Sequence, residues 1–177
     1  ALGGAHIITN IYQYSGKYYI ASYDAGLRVL DPKTLQVSTV ASAPLLATTT
    51  ISSFATSKDG MLWIGCGEGI FVVDKTGKAV AHYTENNSRL CRGSVTGIYF
   101  DHRGNGWIGS EGLSLYVAAT RTFENANFPD GFFNAQANLS VSRGHDGMLL
   151  FNRQQSMFYS DIDMKRFGEI KKPSVLL

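Results

Sequence analysis

The sequence predicts an all-β chain of about four four-stranded antiparallel units, and three observations carry that prediction. A short strand pattern recurs as Lys17-Tyr18-Tyr19-Ile20-Ala21, Met61-Leu62-Trp63-Ile64-Gly65, Asn105-Gly106-Trp107-Ile108-Gly109 and Met148-Leu149-Leu150-Phe151-Asn152. Its central residues Tyr19, Trp63, Trp107 and Leu150 lie 44, 44 and 43 positions apart. The composition, with 19 glycines, 12% aromatic residues and only 17% charged ones, suits many short strands joined by tight turns. Gly, Asp and Asn gather at regular places between β-branched and aromatic runs, as hairpins require. A repeat of about 44 residues with several strands per unit is the mark of a β-propeller blade. The blades are expected over 6–43, 50–90, 94–128 and 134–171 of a single segment spanning 1–177.

Each unit divides into four strands. The first predicts strands over 9–12, 18–21, 26–31 and 37–40, with Pro32-Lys33-Thr34-Leu35 as its last turn. The second predicts 51–56, the turn Lys58-Asp59-Gly60, then 62–65, 69–74 and 79–83. The third predicts 95–100, the turn Asp101-His102-Arg103-Gly104-Asn105, then 106–110, 113–117 and 122–126. The fourth predicts 138–141, 148–151, 157–161 and 166–170, with Gly144-His145-Asp146-Gly147 where the other units turn.

The repeated large residue has a packing role. Tyr19, Trp63, Trp107 and Leu150 are expected to form the blade core, where an aromatic ring can bury on the order of 150–250 Å² against the next blade. The glycine after Trp63-Ile64 and after Trp107-Ile108 permits a bend or a close backbone approach there. A blade buries its faces only against neighbours, so a partial array leaves two faces open. Four blades could close as the smallest ring, but an open array within a larger, seven-blade-type propeller, or self-association of the chain, is the stronger expectation.

With these residues in place, a family resemblance follows. The run Val95-Thr96-Gly97-Ile98-Tyr99-Phe100-Asp101, then Gly104-Asn105-Gly106-Trp107-Ile108-Gly109-Ser110, resembles the two-component regulator propeller repeat. The run Asp59-Gly60-Met61-Leu62-Trp63-Ile64-Gly65, then Gly69-Ile70, is similar to it as well. In the last unit Asn152-Arg153 stands where that family has a small Gly-Gly pair. The resemblance implies a non-catalytic sensor segment, the periplasmic part of a hybrid two-component system. It implies oligosaccharides as ligands, with a membrane helix, histidine kinase, receiver and DNA-binding module further along the parent protein. Ligand residues lie outside the repeat motif, so the resemblance assigns none here.

The remaining chemistry is sparse. Formal net charge is +2, and the densest basic group, Lys165, Arg166, Lys171 and Lys172, is thin for a phosphate track, so no nucleic-acid partner is expected. No run of 18 apolar residues is present, and Ala1-Leu2-Gly3-Gly4 does not open a signal peptide, so this segment is expected to make no membrane contact. A chain that starts inside a repeat pattern without Met reads as a piece of something longer. Cys66 and Cys91 have no CxxC or Cys/His neighbourhood, and their spacing leaves open whether they pair. His6, His82, His102 and His145 fall in different units, no Gly-x-Ser-x-Gly elbow occurs, and the recurrent aspartates lack calcium-loop spacing. No cofactor, metal or catalytic residue is therefore expected. Gly65-Cys66-Gly67-Glu68-Gly69 lies between strands with no helix to build a phosphate site. The most polar inter-blade loop, with Asn86, Asn87, Arg89 and Arg92, offers donors suited to sugar hydroxyls, against a plain reading as a solvated connection. Two rival functions stand beside the sensor: a binding scaffold at the cell surface or in secretion, and a propeller polysaccharide lyase or hydrolase.

Overall fold

The computed structural model describes residues 7–125, 139–143, 149–153, 156–161 and 166–170. The chain divides into two compact units, Ala1–Asn125 and Ala126–Leu177. The first unit holds three four-stranded antiparallel sheets, each a meander of consecutive strands. Blade one is β1 (Ile8–Tyr14), β2 (Lys17–Ser22), β3 (Gly26–Leu30) and β4 (Val37–Ser38). Blade two is β5 (Ile51–Thr56), β6 (Leu62–Cys66), β7 (Gly69–Val73) and β8 (Ala79–Tyr83). Blade three is β9 (Gly97–Phe100), β10 (Gly106–Gly109), β11 (Leu113–Val117) and β12 (Thr122–Asn125). The second unit is one sheet of the same order, β13 (Leu139–Arg143), β14 (Leu149–Arg153), β15 (Ser156–Ser160) and β16 (Phe167–Ile170). Among the described residues no helix is long and apolar enough to cross a membrane.

The repeat is a repeat of register. Tyr19 stands opposite Tyr12 and Val29, Trp63 opposite Ala55 and Val72, and Trp107 opposite Tyr99 and Leu115. Leu150 pairs in the same way with Ser142 and Tyr159, although its side chain lies outside the described residues.

Period-two alternation then decides which blade each residue meets. Tyr14, Tyr19, Ala21, Leu27 and Val29 of blade one cluster with Leu62, Ile64, Phe71 and Val73 of blade two. The opposite face of blade two gives Trp63, Ile70 and Val72 to a second cluster with Val95, Ile108 and Phe123. Covered on both sides, β6 and β7 are buried at every position, whereas β10 of blade three alternates. Trp63 sits in a box of rings, with centroids 5.6 Å from Tyr83, 5.2 Å from Phe100 and 4.7 Å from Tyr116. Trp107 holds the same ladder position on the face of blade three turned away from blade two, and is half-buried. Gly65 permits the expected close approach, since a Cβ there would stand 2.6 Å from Val95 Cγ1.

Two strands fall two residues short of the sequence prediction. Blade three begins at Gly97 rather than Val95, because the Val95 N–H donates to the Cys66 carbonyl of blade two at 3.1 Å. The Ser52 hydroxyl of blade two likewise donates to the Val95 carbonyl, so residue 95 belongs to the seam between blades. β4 is only two residues long, and the chain then makes a single 3-10 turn at Pro44–Ala47 that buries Leu46 against the first core.

Candidate functional site

An antiparallel meander sends alternate turns to opposite ends of a blade. One end of blade two carries the β5–β6 and β7–β8 turns. The other carries the β6–β7 turn together with the connection from β8 to blade three. At that second end lies a cleft of about 180 Å³, formed by residues 67–69 of the turn and by 84–86 and 90–93 of the connection.

Local hydrogen bonds shape the connection. The Thr84 carbonyl accepts from the Ser88 N–H at 3.0 Å and from its hydroxyl at 2.7 Å. Asn87 bridges the loop base, its Oδ1 accepting from the Thr84 N–H and its Nδ2 donating to the His82 carbonyl, both at 2.8 Å. Leu90 is buried in the core between blades two and three and pins the loop. Beyond it the chain ties itself to blade three. The Cys91 N–H donates to Ser114 Oγ at 2.9 Å, the Glu111 N–H donates to the Arg92 carbonyl at 3.2 Å, and Arg92 Nε meets Glu111 Oε2 at 2.8 Å.

The opposite wall is equally fixed. The His82 ring stacks on Phe71 at 3.8 Å with planes 9° apart, and its Nε2 lies 2.8 Å from the Glu68 carbonyl oxygen. Gly69 has φ +102°, and a Cβ there would strike the Tyr83 carbonyl oxygen, so the turn against the β8 end requires glycine.

Of the four residues that the sequence singled out, Asn86 and Arg92 line the cleft. Asn87 is its neighbour, with both ends of its amide used within the loop. Arg89 is exposed, away from the lining, and makes no hydrogen bond or ion pair among the described residues. The Arg92–Glu111 pair is open to water, with side chains 80% and 57% exposed, so it orients the guanidinium more than it stabilises the fold. Sequence reasoning passed over Glu68, Glu85 and Cys91, which also line the cleft. The signal for Glu68 was its place in Gly67-Glu68-Gly69, where two glycines let the turn sit close to the connection. Together the carboxylates of Glu68 and Glu85, the Asn86 amide and the Arg92 guanidinium offer acceptors and donors for a polyhydroxylated ligand.

The two cysteines are free thiols in different surroundings. Cys66 is buried beneath the turn, its Sγ 3.4 Å from the Gly69 carbonyl oxygen, and burial pushes its thiol pKa up. Cys91 lies at the cleft edge, its thiol donating to Asn125 Oδ1 at 3.3 Å. Among the described residues no three His, Cys, Asp or Glu side chains gather as metal ligands. His102 is exposed on its turn, and Arg166 is likewise exposed. His6, His145, Lys165, Lys171 and Lys172 lie outside the described residues.

No protein-family model matches the sequence, and no curated protein matches it either. Solved structures do. The extracellular domain of the hybrid two-component system BT3049 from B. thetaiotaomicron superposes with a TM-score of 0.67 at 19% identity, over 93% of this chain and 23% of that one. The corresponding domain of BT4673 from the same organism gives 0.64 at 20% identity, over 98% of this chain and 26% of that one. The WD40 repeats of RRP9 give 0.60 at 14% identity, over 95% of this chain and 52% of that one. The chain folds as part of a β-propeller. It spans about a quarter of the length of the two bacterial domains, and at these identities the likeness is one of fold.

Proposed function

We propose that this propeller segment belongs to the extracytoplasmic, ligand-sensing part of a hybrid two-component system and carries no catalytic activity of its own. The observation that supports this most directly is the likeness over 93–98% of the chain to the extracellular domains of two such systems. The strand-turn-strand wording around Asp101–Trp107, set out above, points to the same family. The ligand is an oligosaccharide, received in the cleft between the 67–69 turn and the inter-blade connection, where Asn86 and Arg92 supply donors and Glu68 and Glu85 supply acceptors. Ligand occupancy then biases the arrangement of a dimer and so the activity of the kinase beyond the membrane helix, because a ligand shifts an equilibrium only by its differential affinity for the two states.

Two measurements test this. Extending the parent reading frame on both sides of this chain is expected to reveal further repeats of about 44 residues, a membrane helix and a histidine kinase; a frame without a kinase overturns the signalling role. Calorimetric titration with an oligosaccharide panel is expected to find a ligand whose affinity falls in Asn86→Ala and Arg92→Ala, and unchanged affinity in both variants moves the ligand elsewhere.

A further inference from the structure

At the end of the three blades opposite the cleft, the turns inside each hairpin pair come together, and their charges are not balanced. Lys33, Lys58, Lys75, Lys78, Arg103 and Arg121 all stand exposed there, with half-buried Lys17 at the start of β2. The acids of this end are Asp31, Asp59, Asp74 and Asp101, so seven cations face four carboxylates, a surplus of three. The cleft end has the reverse balance, with Asp24, Glu68, Glu85 and Glu111 against Arg89 and Arg92.

The turns that bear Lys17, Lys58, Lys75, Lys78 and Arg103 touch in succession, which sets these cations side by side in a strip. The Ser15 hydroxyl of blade one donates to the Lys75 carbonyl of blade two at 2.7 Å, and the Tyr14 hydroxyl donates to the Gly60 carbonyl at 2.7 Å. A Cβ on Gly60 would lie 2.9 Å from Lys75 Cε, and one on Gly104 of blade three would lie 3.3 Å from Lys58 Cβ and Cδ. The acids, by contrast, bind their own turns. Asp31 Oδ1 accepts from the Lys33 N–H at 2.9 Å, and Asp74 Oδ1 accepts from the N–H groups of Thr76 and Lys78 at 2.9 and 3.1 Å. In both residues these bonds fall on one oxygen, which leaves Oδ2 to accept from a ligand.

We propose that this end of the three blades binds an acidic polysaccharide, one that carries carboxylate or sulfate groups at intervals along a hydroxyl-rich chain. This is a second ligand surface, apart from the cleft proposed above for the oligosaccharide, and it rests on the same reading of the chain as part of a glycan sensor. The interleaving of charge is what selects the class. Lysine and arginine pair with spaced anionic groups, while the aspartates accept from the hydroxyls between them. The closely spaced phosphates of a nucleic acid would meet those same aspartates unfavourably, and a surplus of three is small for counterion-driven binding. An anionic bilayer is drawn to clusters of basic residues without interspersed acids.

The test titrates the chain with an oligogalacturonate, a neutral galactose oligomer of equal length, a single-stranded oligonucleotide and vesicles containing anionic phospholipid. The oligogalacturonate is expected to bind, more weakly as salt is raised. Lys58→Glu combined with Lys75→Glu is expected to lower its affinity about tenfold, while Lys58→Arg with Lys75→Arg retains it. The proposal is overturned if the oligogalacturonate fails to bind at low salt, if the oligonucleotide or the vesicles bind as well as it does, or if the charge reversal changes nothing. Binding of the neutral oligomer alone removes the acidic strip and leaves the sensor standing. Strip binding by a protein whose reading frame encodes no kinase does the opposite.

Discussion

Asp101 shows at the level of one residue why the turn before the second strand of blade three has the sequence it has. Its Oδ1 accepts from the N–H groups of Arg103 and Asn105, each at 2.9 Å, and its Oδ2 lies 3.4 Å from both Asn105 Nδ2 and Trp107 Nε1. Asn105 passes the restraint on, its Oδ1 accepting from the Ala118 N–H at 3.2 Å in the neighbouring turn. Gly104, at φ +88°, completes the reversal. Burial alone would raise the Asp101 pKa, but the hydrogen bonds outweigh it and the net shift is downward. Asp101→Ala is therefore expected to cost about 1 kcal/mol in urea unfolding, less than is usual for a charged acceptor because the site is partly exposed. The pH dependence has a definite sign. A carboxyl with a lowered folded pKa adds stability above its unfolded value of about 3.9 and loses it as pH falls through the folded pKa. The stability gap between the native chain and Asp101→Asn should thus be constant near neutrality and close in acid. A gap that widens below pH 4 would exclude this role.

At the level of the element, the second strand of each blade carries the interface. Trp63 is 3% exposed and meets four other rings from blades two and three. Trp63→Ala is expected to destabilise the three-blade unit by about 3–5 kcal/mol, through lost burial and an unfilled cavity. Trp63→Phe should recover a large part of that, and equal losses for the two would place the energy elsewhere. These elements were legible because register and sequence share one period: a large side chain recurs at Tyr19, Trp63, Trp107 and Leu150, and in blades two and three a glycine follows two positions later. Val95 was not legible as a seam residue, since β-branched side chains suit a strand of its own blade and a bond to the next equally well. The cleft was half legible. Asn86 and Arg92 lie on a visibly polar loop, but Asn87 looks the same in sequence and is used internally. Glu68 reaches the cleft from a turn of the same blade, a juxtaposition that only the fold creates.

At the level of the whole molecule, blade one presents a face with no blade against it among the described residues of its unit. Ile11, 60% exposed, stands opposite Ile20 on that face, one position out of step with Tyr12, Tyr19 and the core. Exposed apolar sheet faces associate. Sedimentation is expected to show concentration-dependent self-association of the chain, and Ile11→Lys is expected to shift it toward monomer. A single monomeric species at all concentrations would rule this out.

The closed meander of each sheet also has a genetic consequence. No described strand is borrowed from another blade, so every ladder begins and ends within one stretch of about 44 codons. An in-frame duplication of such a stretch inserts a complete sheet and cuts no existing ladder. What recombination must preserve is the match between one blade's Trp63-type ring and the next blade's Phe100, Tyr116 and Phe123. Blade number can therefore drift between descendants of one gene while the faces that join the blades stay fixed.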